Sequence, residues 1–311
     1  MDSNILTITL NPAVDKSCTV ENIKPEKKLR CSAPQYEPGG GGINVSRGLA
    51  RLNIPSTAFF TSGGHTGERL EQLLLHEKVA VLPFKIVAET RENFIVTDTV
   101  SNEQYRFGMP GEDITPEEGK AILKRVTSCT PFPQIVVISG SMPPGLDAHY
   151  LRNLVKEMKA KGAKIIADTS GEALTEIMEE GVYMLKPNLG ELSRLSGKGS
   201  LDNESADEAA KLLIEEGKAE VIVVSMGPQG AYLVTANETV YVPAPSVKKL
   251  TTVGAGDSMV AGMVSILAKG GTATDMVRMG VACGTAATMN PGTGLFKPED
   301  AERLYKWLSK I

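Results

Sequence analysis

The residues Thr251-Thr252-Val253-Gly254-Ala255-Gly256-Asp257-Ser258 are suited to chemistry on a phosphate. Behind them Val260, Met263, Val264 and Leu267 recur at helical spacing, so the run reads as a turn entering a helix. Glycine at 254 and 256 leaves the backbone N–H groups there open to a ligand, and the first N–H groups of a helix have no partner within it. Such a terminus attracts anions. Asp257 stands at its mouth. A carboxylate beside an anion hole is the pairing that moves a phosphoryl group onto a hydroxyl: one takes the proton, the other holds the developing charge. An ordinary glycine turn capped by Asp257 accounts for the same letters.

Other residues of this kind fall in five groups. Pro38-Gly39-Gly40-Gly41-Gly42-Ile43-Asn44-Val45 runs four glycines into a helix marked by Ile43, Leu49 and Leu52. Four successive glycines cost backbone entropy, which close approach of a ligand explains better than a plain loop does. The run is neither a G-x-G-x-x-G fingerprint nor a Walker A loop. In Lys186-Pro187-Asn188-Leu189-Gly190-Glu191, Asn188 and Glu191 share one face of a helical start, a spacing that suits a hydrated Mg²⁺ beside a nucleotide. Favourable charge at a helix N-terminus is the plainer account of Glu191. Ser225-Met226-Gly227-Pro228-Gln229-Gly230 is a tight turn between apolar strands. Lys28, Arg30, Arg91 and Arg106 read singly as solvated charge and together as a clamp for a sugar phosphate. Asp15, after the first strand, is a candidate acceptor for sugar hydroxyls. His65, His76 and His149 have neither metal nor triad spacing.

Residues from about 130 onward alternate short apolar runs with amphipathic stretches. Strands at 135–138, 164–168, 182–185 and 221–224, with helices near 147–161, 171–180 and 205–216, predict a parallel sheet covered on both faces. Thr115-Pro116-Glu117-Glu118 is a capping box with proline at the first helical position. Two segments, about 12–38 and 87–109, carry strand-like residues with no helices between them. They read as a small separate sheet, a lid, or as surface hairpins; Ser101-Asn102 marks a hairpin-like break.

With 33 basic and 37 acidic residues the net charge is −4, which offers no general attraction to nucleic acid or to an anionic membrane. Any phosphate site must therefore be local. The four cysteines show neither metal-type pairing nor a disulfide framework. The N-terminal residues read as a strand rather than a targeting peptide, and no apolar run reaches the roughly 20 residues of a membrane span. A reducing cytoplasm is the simplest compartment.

Taken together, these motifs resemble the ribokinase/PfkB carbohydrate kinase family. The glycine run into Asn44-Val45 and the Thr252–Ser258 run match its two signatures, in order and at the right separation, and the likeness covers residues 1–311. Glu103-Gln104-Tyr105-Arg106-Phe107, Ile138-Ser139-Gly140-Ser141, Ser170-Gly171-Glu172-Ala173-Leu174 and Gly227-Pro228-Gln229-Gly230 look most like its 6-phosphofructokinase branch. The resemblance implies one ribokinase-like α/β domain whose β-sheet lid also forms a homodimer contact. It implies transfer of the γ-phosphoryl group of Mg²⁺-ATP to the C1 hydroxyl of fructose 6-phosphate. In it, Asp257 is the base and the N–H groups of Gly254, Ala255 and Gly256 form the anion hole. Asp15, Gly39, Gly40, Gly41 and Asn44 hold the sugar, with Lys28, Arg30, Arg91, Arg106 and Ser141 around its phosphate. Lys186, Asn188, Ser225, Gly227 and Gly230 face the nucleotide, and Glu191 is tied to Mg²⁺. Carbonyls of Thr251, Val253, Asn290 and Gly292 would form a K⁺ loop.

Two positions depart from relatives. Gly41 stands where 1-phosphofructokinases and tagatose-6-phosphate kinases usually carry lysine, which favours the 6-phosphofructokinase branch. Gly294 replaces an arginine beside the K⁺ loop. Tagatose 6-phosphate kinase and 1-phosphofructokinase are the alternative activities, and a non-catalytic sugar-phosphate sensor is the alternative of another class.

Overall fold

A computed structural model describes residues 4–199, 201–202 and 205–310. The chain opens with β1 (Ile5–Thr9), β2 (Ala13–Val20) and β3 (Gln35–Gly39), then α1 (Gly41–Arg51), β4 (Thr57–Ser62), α2 (Gly64–His76) and β5 (Ala80–Lys85). It continues through β6 (Arg91–Asp98), β7 (Gln104–Phe107), α3 (Pro116–Thr127), β8 (Ile135–Ser139), α4 (Ala148–Ala160), β9 (Lys164–Asp168) and α5 (Gly171–Glu179). After β10 (Val182–Leu185) come α6 (Leu189–Leu195), α7 (Ala206–Glu215), β11 (Ala219–Ser225), β12 (Ala231–Thr235) and β13 (Thr239–Val242). Helices α8 (Ala255–Ala268), α9 (Ala273–Thr288) and α10 (Pro298–Leu308) complete it.

Nine strands form one sheet in the order β13-β12-β11-β10-β9-β8-β1-β4-β5, antiparallel only at β12 and β13. Its central strands are apolar throughout, as β8 shows with all five residues buried, because both faces are covered. Val136 and Ile138 pack toward α3, α4 and α5, while Ile135 and Val137 pack toward α1, α8, α9 and α10. The helices begin where local chemistry starts them. Thr115 and Glu118 form a reciprocal capping box with Pro116 in the first turn, and the Asp147 side chain accepts from Tyr150 N–H. The alternation expected from the sequence is thus the architecture, a mostly parallel α/β sheet covered by helices on both faces. Among the described residues no helix is long and apolar enough to cross a membrane, and all four cysteines are free thiols.

The two segments without helices form a separate four-stranded sheet, in the order β3-β2-β6-β7. Its register gives it two unlike faces. Asp15, Ser17, Glu37, Asn93, Ile95 and Arg106 lie on one side, while Lys16, Tyr36, Phe94, Tyr105 and Phe107 lie on the other. The Asp98 carboxylate fastens its far end, accepting from the backbone N–H groups of Asn22, Ile23 and Val100.

Helix α1 crosses α8 at Gly48, where a Cβ would stand 2.6 Å from the Ala261 methyl carbon. Close packing leaves no space to absorb it. Gly48→Ala is expected to lower stability by about 1–3 kcal/mol through overpacking, even though alanine favours a helix, and the urea midpoint measures it.

Candidate active site

The chain runs from β1 outward to β4 and β5, then returns to place β8 on the other side of β1. Open α/β sheets take ligands outside the carboxyl ends of their strands where the order reverses, here between β1 and β8. The glycine run sits over that point. A Cβ on Gly42 would meet the Ile8 carbonyl at 2.7 Å, and one on Gly41 would collide with Ser139 Oγ. Position 41 is therefore closed to a side chain in this backbone.

Helix α8 arrives at the same edge. Gly254 is its N-cap, in the left-handed region with φ 71°, and no side chain caps the helix. Asp257 lies inside the first turn, so the reading in which it caps a glycine turn does not hold. Its Oδ2 accepts a 2.9 Å hydrogen bond from Asn44 Nδ2, one turn into α1. Ala255 N–H makes only a long 3.4 Å contact with the Thr252 carbonyl. Among the described residues the N–H groups of Gly256 and Asp257 have no partner. The two helix N-termini thus face each other with one carboxylate between them.

That carboxylate is not an ordinary surface acid. Desolvation pushes its pKa up to about 6, and the charge of Asp168 adds to the rise. The Asn44 hydrogen bond and the Lys186 charge oppose it. Asp168, at the end of β9, forms a 3.0 Å ion pair with Lys186, at the end of β10, and both are shielded from solvent. Burial works to lower the Lys186 pKa, but Asp168 with Asp257 and Glu191 outweighs it, and the ammonium is held charged. Lys186 Nζ lies 3.6 Å from where a Cβ on Gly256 would be, so a fixed positive charge sits against the α8 turn.

Asp15 faces the site from β2, 7% exposed, and accepts from Asn93 Nδ2 at 2.8 Å. Burial raises its pKa; Asn93 and the Arg91 charge resist. A Cβ on Gly39 would lie 2.7 Å from Asp15 Oδ1, so the glycine keeps this carboxylate uncovered. Arg91 donates to the carbonyls of Asn11 and Met109, and Asn11 Nδ2 donates to Ser141 Oγ at 3.2 Å, which joins Arg91 and Ser141 through one residue. Arg106 reaches Thr252 Oγ1 at 3.0 Å, in the turn that precedes α8. Neither Arg91 nor Arg106 has a carboxylate within ion-pair distance among the described residues. Lys28 and Arg30 do not join them. Arg30 precedes Cys31, which bridges Val20, whereas Arg91 pairs with Ala13 seven residues back along β2, about 23 Å away at strand rise. The four-residue clamp is therefore split within one chain, because Arg91 and Arg106 sit near the site and Lys28 and Arg30 lie on the distal loop.

On the other side of α8, Asn188 bridges Ser225, which brings together the turns after β10 and β11. Gly227 and Gly230, both with positive φ, bracket a single 3₁₀ turn there. Asn188 and Glu191 cap α6 reciprocally, so the plainer account of Glu191 is part of the answer. Its Oε1 makes no hydrogen bond among the described residues, and one oxygen stays open to a hydrated cation. No cluster of three His, Cys, Asp or Glu side chains able to hold a metal occurs among the described residues. The 251–253 and 288–294 segments are tied by hydrogen bonds from Leu250 and Thr251 N–H to the Thr288 carbonyl. Carbonyls of Thr251, Val253, Asn290 and Gly292 accept no hydrogen bond among the described residues, which suits a monovalent cation. Glu37 anchors that loop to β3 by accepting from Thr293 N–H and Oγ1.

Several members of the site escape motif reading. Asp168 had one usable signal, an acid closing an otherwise apolar strand. Glu37 had only its place ahead of Pro38 and the glycine run, while Asn93 and the Arg47–Glu77 pair had no signal, since nothing in their neighbours distinguishes them from surface polar residues.

The raised Asp257 pKa has a cost in stability. Below the unfolded value of 3.8 the group is neutral in both states, and between that pH and about 6 its ionisation favours the unfolded chain. Asp257→Asn is expected to be more resistant to urea than the parent at pH 7–8, where the whole penalty is present, and the gain should shrink as pH falls from about 6 and vanish below 3.8.

A family model described as pfkB family carbohydrate kinase matches residues 5–300. The ATP-dependent 6-phosphofructokinase isozyme 2 of Escherichia coli is 43% identical over 307 residues, 98% of this chain and 99% of that one. Crystal structures of Escherichia coli phosphofructokinase-2 superpose with TM-scores of 0.94 at 42% identity. The one in complex with potassium covers 99% of both chains, and the one with substrates and products covers 98% of this chain and 99% of that chain. With both glycine runs at the carboxyl edge of the same sheet and a match of this extent, the chain belongs to the pfkB family of carbohydrate kinases.

Proposed function

We propose that the chain is an ATP-dependent 6-phosphofructokinase, transferring the γ-phosphoryl group of ATP to the C1 hydroxyl of fructose 6-phosphate to give fructose 1,6-bisphosphate and ADP. The observation that carries this reading is the Asp257 carboxylate at the α8 N-terminus, held by Asn44 from the helix of the other glycine run. The near full-length likeness to the Escherichia coli enzyme supports the choice of substrate.

In this reading Asp15, the Gly39–Gly41 backbone and Asn44 orient the sugar, with Arg91, Ser141 and Arg106 around its phosphate. Asp257 accepts the C1 hydroxyl proton as the oxygen attacks in line, and the N–H groups of residues 254–256 receive the charge on the transferring oxygens. Lys186 adds a fixed positive charge on that side. Lys186, Asn188, Ser225, Gly227 and Gly230 line the nucleotide side, where Asn188 and Glu191 would orient the hydration shell of Mg²⁺. Mg²⁺ neutralises charge on the ATP phosphates when bound. K⁺, held by carbonyls of residues 251, 253, 290 and 292, would fix the turn ahead of α8. The small sheet acts as a lid, and its exposed Tyr105, Phe107 and Met109 suit a homodimer contact through the lid.

A coupled assay of ADP formation with fructose 6-phosphate, tagatose 6-phosphate and fructose 1-phosphate tests the reading. Fructose 6-phosphate should have the highest kcat/KM; preference for either other sugar reassigns the activity, and no turnover with any of them points to a sensor. Asp257→Asn should lose on the order of 10²–10⁴ in kcat with substrate binding kept. Because the base must be ionised, kcat/KM should fall as pH drops through about 6. Arg91→Ala and Arg106→Ala should mainly raise KM for the sugar phosphate.

A further inference from the structure

Arg47 is a buried cation that the reaction scheme does not use. It lies one turn after Asn44 on α1 and is 2% exposed. Its Nε and Nη2 grip both carboxylate oxygens of Glu77, at 2.8 and 2.6 Å. The remaining nitrogen, Nη1, donates to two acceptors: the Pro38 carbonyl at 3.0 Å and Asn44 Oδ1 at 2.9 Å. Asn44 in turn donates from Nδ2 to Asp257. A buried ion pair is a weak source of stability, because desolvation offsets its attraction. What this one supplies is direction. A carboxylate can take both guanidinium donors only in one plane, and that plane fixes where Nη1 points.

We propose that Arg47, locked by Glu77, is a positioning residue: it sets which way the Asn44 amide faces, and so aims its NH₂ at Asp257, while holding the Pro38 carbonyl that begins the glycine run. An amide has nearly the same shape either way round. Without a donor on Oδ1, Asn44 is free to turn its oxygen toward Asp257 and replace an attraction by a repulsion. The other charged groups facing Asp257 are Asp168 and Lys186, from the ends of β9 and β10, and Asp15 from β2. None of them hydrogen-bonds to the Asn44 amide among the described residues. Arg51, the next turn of α1, lies 3.9 Å from Glu77 and does not reach the amide. One residue thereby couples the orientation of the base to the path of the sugar loop, and it does so from behind the site, buried away from solvent.

The inference rests on the proposed kinase activity, and the test separates the two. If the parent chain phosphorylates no sugar phosphate, that activity is wrong. The positioning role is then read directly, from the ¹³C carboxyl titration of Asp257, identified by its loss in Asp257→Asn. With an active parent, Arg47→Met should lower kcat by about 10²-fold, the scale of a small misplacement of reacting groups. It should also move the acid limb of kcat/KM to higher pH and leave KM for ATP unchanged. Arg47→Lys should recover part of both losses, and Glu77→Gln should shift the limb in the same direction by less. Should Arg47→Met fail to fold, these two conservative variants decide. Wild-type pH profiles and carboxyl titrations in the folded variants would overturn the proposal, even if the variants are less stable.

Discussion

A hydrogen bond of 2.9 Å between Asn44 and Asp257 joins residues 213 positions apart and crosses the point where two helices begin. Its geometry asks a great deal of the fold. Helix α1 must start directly over β1 and β8, so close that a side chain at 41 or 42 would strike the strands. Helix α8 must start beside it from a left-handed glycine. The two helices must also cross near enough for Gly48 to touch Ala261. Sheet order, glycine placement and helix packing are all consistent with this one meeting of an amide and a carboxylate.

Charge follows the same plan. A net-acidic protein brings acids from three strands or helices, Asp15, Asp168 and Asp257, to one edge and offsets them with few cations. Lys186 is committed to Asp168, whereas Arg91 and Arg106 have no carboxylate at ion-pair distance among the described residues. In the proposed reaction that uncompensated positive charge is what meets the phosphate of the sugar. Desolvation, with the neighbouring acids, places the Asp257 carboxyl near neutrality, where a group can both take and hold a proton.

Much of this is written locally. The apolar runs of β8 to β11 and the capping box at Thr115 are short-range signals, and so is the entry of each glycine run into its helix. The structure repeats them almost residue for residue. Proximity in space is another matter. Lys28 and Arg30 resemble Arg91 in composition and chain neighbourhood, yet strand register sends them to opposite ends of the small sheet. Asn188 and Glu191 have spacing that suits both a cap and a metal partner, and only side-chain geometry shows the cap. Arg47 looks like any helix-face arginine until Glu77, thirty residues later, is found against it.

The small sheet puts polar and acidic side chains on one face and aromatic ones on the other, using alternate residues of the same strands. Substitution on one face leaves the other untouched, so the ligand side and the aromatic side can diverge independently. Insertion or deletion of a single residue cannot be absorbed in this way. It would turn Asp15 outward and Lys16 inward in one step, exchanging the two faces over the rest of the strand. Length variation among proteins built this way should therefore collect in the loop after β2 and in the β6–β7 turn, while the strands themselves keep a fixed count.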